Sequence, residues 1–227
     1  MEIVHSRHGE KSKAFNNGNS WCNLLALFLI QDDSGKAHVM RRTFREILED
    51  TPIVAAIKDM EGLEQCLKSD IQVVFILFGD ICGIKDIVKR IKDSGKVAMV
   101  HIDLIAGLSG KEIALDYIKE FTEADGIITT KSTLIRHARE LGLYTVLRYF
   151  VIDSMALVNI EKQNGSVLPD VIEILPGVMP KIIRKVNGIS KVPVVAGGLI
   201  SDREDVMLAL DNGAVAISST SKKVWFM

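Results

Sequence analysis

The feature that most limits what this chain can fold into is a recurrence. From Ile53 onward, short apolar runs rich in β-branched residues alternate with a polar or glycine break and then with about ten residues of helical periodicity. Eight runs are present: Ile53 to Lys58, Val73 to Gly79, Val97 to Asp103, Gly126 to Thr130, Tyr144 to Phe150, Val171 to Leu175, Pro193 to Gly198 and Ala214 to Ser219. They are nearly continuous in hydrophobicity and do not alternate with polar residues. That marks strands buried on both faces, as in a parallel sheet covered by helices.

The segments between the runs read as amphipathic helices. Ile84, Ile87, Val88 and Ile91 fall on one face of the second, with Lys85, Lys89 and Lys92 opposite. Ser201, followed by Glu204 three residues on, reads as a capping box with Ser201 at the N-cap. Eight β-α units at a spacing of about 23 residues are slightly tight for a (β/α)8 barrel, which usually takes around 250 residues but tolerates 200. A doubly wound open sheet is the structural alternative. The barrel is favoured because the strand count is eight and because the last two units carry a phosphate-type pair of motifs. The expected class is therefore α/β, a single-domain (β/α)8 TIM-type barrel over residues 40–227. A helix at Phe44 to Glu49 caps its floor, and a stub helix at Ser221 to Met227 ends it. Residues 1–39 show no matching pattern and are expected to be an extension, or a misplaced start, peripheral to function.

Composition excludes several classes. The 227 residues carry a formal net charge of -1, so the molecule is no polycation and any nucleic-acid site must be a local patch. Cys22, Cys66 and Cys82 lie far apart with no CxxC pair, which argues against a disulfide framework, a zinc site or a redox motif and fits a reducing cytoplasm. The run Trp21 to Ile30 is too short for a membrane span, which takes about 20 apolar residues, and no small-residue cleavage site follows it. No membrane association and no export are expected.

In (β/α)8 proteins ligands bind at the carboxyl ends of the strands, and here those ends are polar. Gly197 and Gly198 end the seventh run, where backbone N–H groups can approach an anion without an intervening Cβ. Ser218, Ser219 and Thr220 end the eighth, before the stub helix. Either motif alone is a turn or a cap; at the ends of these two strands they form the expected phosphate site. His101 and Asp103 would share one side of the third strand, since side chains alternate with period two. They fit a general base with its orienting carboxylate, a pair binding polyol hydroxyls, or a structural histidine. Glu173, following two apolar residues, must be paired if ionised, with Arg148, Lys58 or a ligand hydroxyl. Lys131 is either a Schiff-base amine or a phosphate contact or solvated surface lysine.

Lysine stripes add a further possibility. Lys85, Lys89 and Lys92 form one, Lys181 and Lys185 another, and Lys222 and Lys223 lie near the end of the chain. Each reads as a solvated helix face or as a contact to nucleic-acid backbone.

Several segments together resemble a known family: Ile53 to Asp59, Gly79 to Cys82, Val100 to Leu108, Asp125 to Lys131, Ile152 to Leu157, Glu173 to Gly177 and Ala196 to Ile200. They are similar to the glycerol-uptake operon antiterminator regulatory proteins, the glycerol-3-phosphate responsive antiterminators, over roughly Phe44 to Met227. His101 to Leu108 and Glu173 to Gly177 are the distinctive stretches. The resemblance implies a non-enzymatic barrel, without a cofactor, that binds glycerol 3-phosphate as effector. It then binds and stabilises the leader mRNA of glycerol catabolism genes, preventing transcription termination. On that reading Gly197, Gly198, Ser218, Ser219 and Thr220 hold phosphate, and Lys58, His101, Asp103, Lys131, Arg148 and Glu173 face the glycerol moiety. Lys85, Lys89, Lys92, Lys181, Lys185, Lys222 and Lys223 are the candidates for RNA. Homo-oligomerisation stays open, and the competing class is a small phosphate-binding barrel enzyme: an isomerase, synthase or aldolase.

Overall fold

The computed structural model describes residues 27–31 and 37–227. Eight parallel strands close into a barrel, in the order β10-β3-β4-β5-β6-β7-β8-β9. They are β3 (Ile53–Ile57), β4 (Val73–Ile76), β5 (Val97–His101), β6 (Gly126–Thr129), β7 (Tyr144–Phe150), β8 (Val171–Leu175), β9 (Val194–Gly197) and β10 (Ala216–Ser219). The helices between them are α2 (Met60–Cys66), α3 (Ile84–Asp93), α4 (Glu112–Phe121), α5 (Ile135–Glu140), α6 (Ser154–Gln163), α7 (Pro180–Ile189) and α8 (Arg203–Asp211). The short α9 (Lys222–Trp225) follows β10. The expected single (β/α)8 barrel is the architecture found.

Two apolar layers account for the continuous hydrophobicity of the runs. Outward-facing Ile57, Val74, Ile76, Val100, Ile127, Leu147, Ile172 and Ala196 pack under the helices. Inward-facing Val54, Val73, Phe75, Met99, Ile128, Val146, Val171, Val195 and Ala216 fill the lower barrel. The floor is closed by α1 (Phe44–Asp50), whose Phe44, Ile47 and Leu48 join that inner cluster. Thr43 caps this helix in a full capping box with Glu46, which explains why it starts there.

Before α1, β1 (Leu27–Gln31) and β2 (Ala37–Arg41) form an antiparallel hairpin, and β2 runs across residue 40, where the barrel domain was expected to begin. Arg41 donates to the Gly142 carbonyl at 2.6 Å and to that of Asp125 at 3.1 Å, with its guanidinium 3.7 Å from the Tyr144 ring centre. The rest of the segment expected to be peripheral, residues 1–26 and 32–36, lies outside the described residues, as does most of the Trp21 to Ile30 run. Among the described residues no helix is long and apolar enough to cross a membrane.

One local expectation is corrected. The N-cap of α8 is Asp202, which accepts from the Asp205 N–H at 3.0 Å, and not Ser201. Ser201 instead donates both its N–H and its hydroxyl to the Asp205 carboxylate, at 2.9 and 3.0 Å. The Asp202 carboxylate takes the capping position one residue later.

Candidate functional site

Period-two alternation carries the inner face of each strand from the apolar lower barrel to a polar layer at the carboxyl ends. Val146 is followed two residues on by Arg148, Val171 by Glu173, Met99 by His101 and Ala216 by Ser218. Arg148 and Glu173 are register partners across β7 and β8. The Arg148 Nε donates to Glu173 Oε2 at 2.6 Å, with side-chain exposures of 6% and 0%. The other carboxylate oxygen accepts from the Ser218 hydroxyl at 2.5 Å. Both oxygens of a fully buried carboxylate are therefore satisfied, as its burial requires.

Gly197 makes that arrangement possible. A Cβ at this position would stand 2.5 Å from both Glu173 Oε1 and Ser218 Oγ. It thus provides room for the Glu173 carboxylate. Gly198, at φ +76°, and Leu199, at φ +64°, then bend the chain away from β9 in the left-handed region.

Above the ion pair lies a cavity of about 410 Å³, lined by Arg148, Glu173 and Ser218 below and by Gly198 to Ser201 and Ser219 to Ser221 at the rim. Its size suits a small ligand. The rim is stitched internally: the Ser219 hydroxyl donates to the Ile200 carbonyl at 2.7 Å and accepts from the Ser221 N–H at 2.9 Å. The N–H groups of Gly198, Leu199 and Thr220 donate to no protein group among the described residues. Trp225, absent from the expected set, anchors α9 here by donating from Nε1 to the Ser219 carbonyl at 2.8 Å. No local sequence signal points to it, because the contact depends on how α9 folds back over β10.

His101 is 2% exposed and its Nδ1 has no hydrogen-bond partner among the described residues. Burial, and after it the nearby Arg148 charge, push its pKa down to about 4, against an opposing pull from Asp103, so the imidazole is neutral near pH 7. The expected pairing of His101 with Asp103 on one strand face is corrected, because β5 stops at His101 and Ile102–Leu104 form a 3-10 turn. Asp103 is exposed and staples that turn to the end of β6. It accepts from the Thr130 N–H at 2.7 Å and from the hydroxyls of Thr129 and Thr130 at 3.1 and 3.0 Å. Thr129 and Thr130 thus take part in the carboxyl-end architecture.

The remaining candidates separate. Lys58 is exposed and lines a neighbouring pocket with Lys222 and Lys223. Lys131 is laid over Gly110, where an added Cβ would come within 1.7 Å of its Nζ, and it does not line the cavity above the ion pair. On α3, Lys89 pairs with Asp93 at 2.8 Å and Lys92 with Asp125 at 2.6 Å, while Lys85 is exposed with no ion pair among the described residues. Lys181 and Lys185 on α7 are exposed. Lys222 is paired with Glu61. No group of three or more His, Cys, Asp or Glu side chains arranged to hold a metal ion occurs among the described residues.

A closed parallel barrel with one polar layer and a small cavity at its carboxyl mouth defines a (β/α)8 barrel whose cavity lies where this fold binds its ligands. Comparison with known proteins narrows this. The model of the glycerol-3-phosphate responsive antiterminators matches residues 53–225, and the chain belongs to that family of regulators. It is 44% identical over 179 residues, 79% of this chain and 94% of the other, to the uncharacterized protein YgcP of Escherichia coli (strain K12). The crystal structure of the glycerol uptake operon antiterminator regulatory protein of Listeria monocytogenes superposes with a TM-score of 0.73 at 32% identity, covering 76% of this chain and 94% of that one. A glycerol uptake operon antiterminator-related protein of Thermotoga maritima gives 0.67 at 36% identity, covering 78% and 99%.

Proposed function

We propose that this protein is a non-enzymatic transcription antiterminator that binds glycerol 3-phosphate in the cavity above Arg148 and Glu173 and, so loaded, binds and stabilises leader mRNA of glycerol catabolism genes. The observation that carries the reading is the division of that cavity into two chemistries. Its rim is lined by Gly198, Leu199 and Thr220, whose N–H groups have no protein partner among the described residues and are left for an anion. Its base presents the Arg148 guanidinium, held in place by the buried Glu173 carboxylate, and its remaining N–H groups suit the oxygens of hydroxyls. A molecule with a phosphate at one end and a diol at the other matches both.

A regulator needs no catalytic residue, and Lys131, the amine of a Schiff-base alternative, lies over Gly110 and outside this cavity. Family membership supports the effector and the regulatory role. The test is a titration of a glycerol-operon leader hairpin against the protein at fixed near-physiological salt, with and without millimolar glycerol 3-phosphate. Tighter binding with the effector, not reproduced by glycerol or inorganic phosphate, is the expected result. Absence of any RNA binding by folded, effector-loaded protein overturns the RNA part, and turnover of a triose or glycerol phosphate overturns the non-enzymatic part.

A further inference from the structure

Beside the effector cavity lies a second, more open pocket of about 540 Å³. Ala56, Ser201, Thr220 and Ser221 line both, so the two chambers share one wall. The outer chamber also holds three lysines and two carboxylates, and their partners decide its character. Asp59 is spent as the N-cap of α2, accepting from the Gly62 N–H at 2.6 Å, and Glu61 is paired with Lys222. Lys58 and Lys223, both exposed, have no counter-ion among the described residues. Three lysines against two carboxylates leave the recess a net charge of +1, carried by the exposed Lys58 and Lys223, and its openness suits a phosphate of an extended polyanion better than an enclosed small anion.

The lysines are also fastened to the effector rim. Trp225 holds α9 to the Ser219 carbonyl at 2.8 Å, the Ser219 hydroxyl holds the Ile200 carbonyl at 2.7 Å, and the Ser221 hydroxyl donates to the Ser201 carbonyl at 3.1 Å. A ligand that engages the N–H groups of Gly198 and Thr220 grips the two loops from which α9 is hung. It thereby restricts the segment that carries Lys222 and Lys223.

We infer that the outer chamber, through Lys58 and Lys223 with α9 as the shared element, is where the RNA backbone binds, and that effector and RNA are coupled across the common wall. This rests on the antiterminator reading above. It favours the mouth of the barrel over the α3 stripe, where Lys89 and Lys92 are already neutralised by Asp93 and Asp125. Linkage then requires RNA to raise effector affinity by the factor by which effector raises RNA affinity.

The experiment measures two affinities on the full chain: glycerol 3-phosphate by calorimetry without RNA, and leader RNA by filter binding at saturating glycerol 3-phosphate over a salt series. Lys223→Glu is expected to keep effector affinity within about 2-fold. It should weaken RNA about 10-fold or more and flatten the slope of log affinity against log salt by about 1. Glu61→Gln, which releases Lys222, is expected to tighten RNA binding by about 2-fold or more, a gain that misfolding cannot imitate. Unchanged RNA affinity in both variants overturns the inference. So does loss of effector binding in folded Lys223→Glu, which would make the chamber part of the effector site itself. Failure of the unaltered protein to bind RNA with effector present overturns the antiterminator reading itself, and is distinguished by needing no variant.

Discussion

Glu173 receives the Arg148 Nε on one oxygen and the Ser218 hydroxyl on the other, at 2.6 and 2.5 Å, in a barrel interior where its own side chain has no solvent contact. Three strands, β7, β8 and β10, are thus joined through one carboxylate. Removing either charge leaves the other buried and unpaired, the costly half of a buried ion pair. Glu173→Ala is expected to lower the urea unfolding free energy by about 3–5 kcal/mol, whereas Arg148→Met with Glu173→Met should cost much less than either single change. A double variant as unstable as the worse single one would show that the charges are not each other's main partner.

Two glycines test which polar side chains belong to the cavity. Gly197→Ala places a methyl 2.5 Å from Glu173 Oε1 and Ser218 Oγ, so both must move, with a stability loss of about 1–3 kcal/mol and loss of glycerol 3-phosphate binding. Gly110→Ala displaces only the flexible end of Lys131 and is expected to leave effector affinity within about 2-fold. Loss of effector binding in folded Gly110→Ala would return Lys131 to the effector site. Calorimetry on the two variants decides it.

His101 gives the fold a pH dependence of definite sign. Its folded pKa is depressed to about 4 from 6.5, so between these values the unfolded chain holds the proton and the folded one does not. Its contribution is fully present above about pH 6.5 and is lost as pH falls toward 4, at no more than about 1.4 kcal/mol per unit. His101→Gln is expected to show a shallower fall in denaturation midpoint across that window and no difference in slope above pH 7. Parallel curves for the two proteins would mean that His101 is accessible to protons in the folded state.

Phe44 tests where the barrel begins. Its ring is 1% exposed and stacked on Tyr144 at 5.2 Å, within the inner cluster that α1 closes from below. Phe44→Ala should cost about 3–5 kcal/mol by urea denaturation. A loss under 1 kcal/mol would show that the floor does not depend on α1.

Lys92 distinguishes support from recognition on α3. Its Nζ lies 2.6 Å from Asp125 Oδ2, the oxygen that also accepts from the Ala98 N–H at 2.8 Å. Lys92→Ala is therefore expected to lower stability by about 1 kcal/mol and to leave the salt slope of RNA binding unchanged. A flatter slope would place that stripe on RNA.

Strand count, helix faces, the α1 plug and the polar ends of the strands were all legible along the chain, because burial imposes its period on neighbouring residues and each run of Val, Ile and Ala reports its own surroundings. The family resemblance was legible for the same reason: its motifs, such as His101 to Leu108 and Glu173 to Gly177, are contiguous. What the tertiary structure decided was which partner each polar group takes. Period two carried Arg148 and Glu173 to one layer, but only the closure of β10 against β9 brought Ser218 to the same carboxylate and made Gly197 its clearance. The same period failed at Asp103, where a 3-10 turn took over, and the cap of α8 shifted by one residue to the stronger acceptor. Lysines read as equivalent within a group proved unequal, since Asp93 and Asp125 reach Lys89 and Lys92 but not Lys85, and Glu61 reaches Lys222 but not Lys223. A hydrophobic period is a local average that survives small displacements. A hydrogen bond or an ion pair depends on separations of a few ångströms between residues distant in the chain, and only the closed barrel sets those.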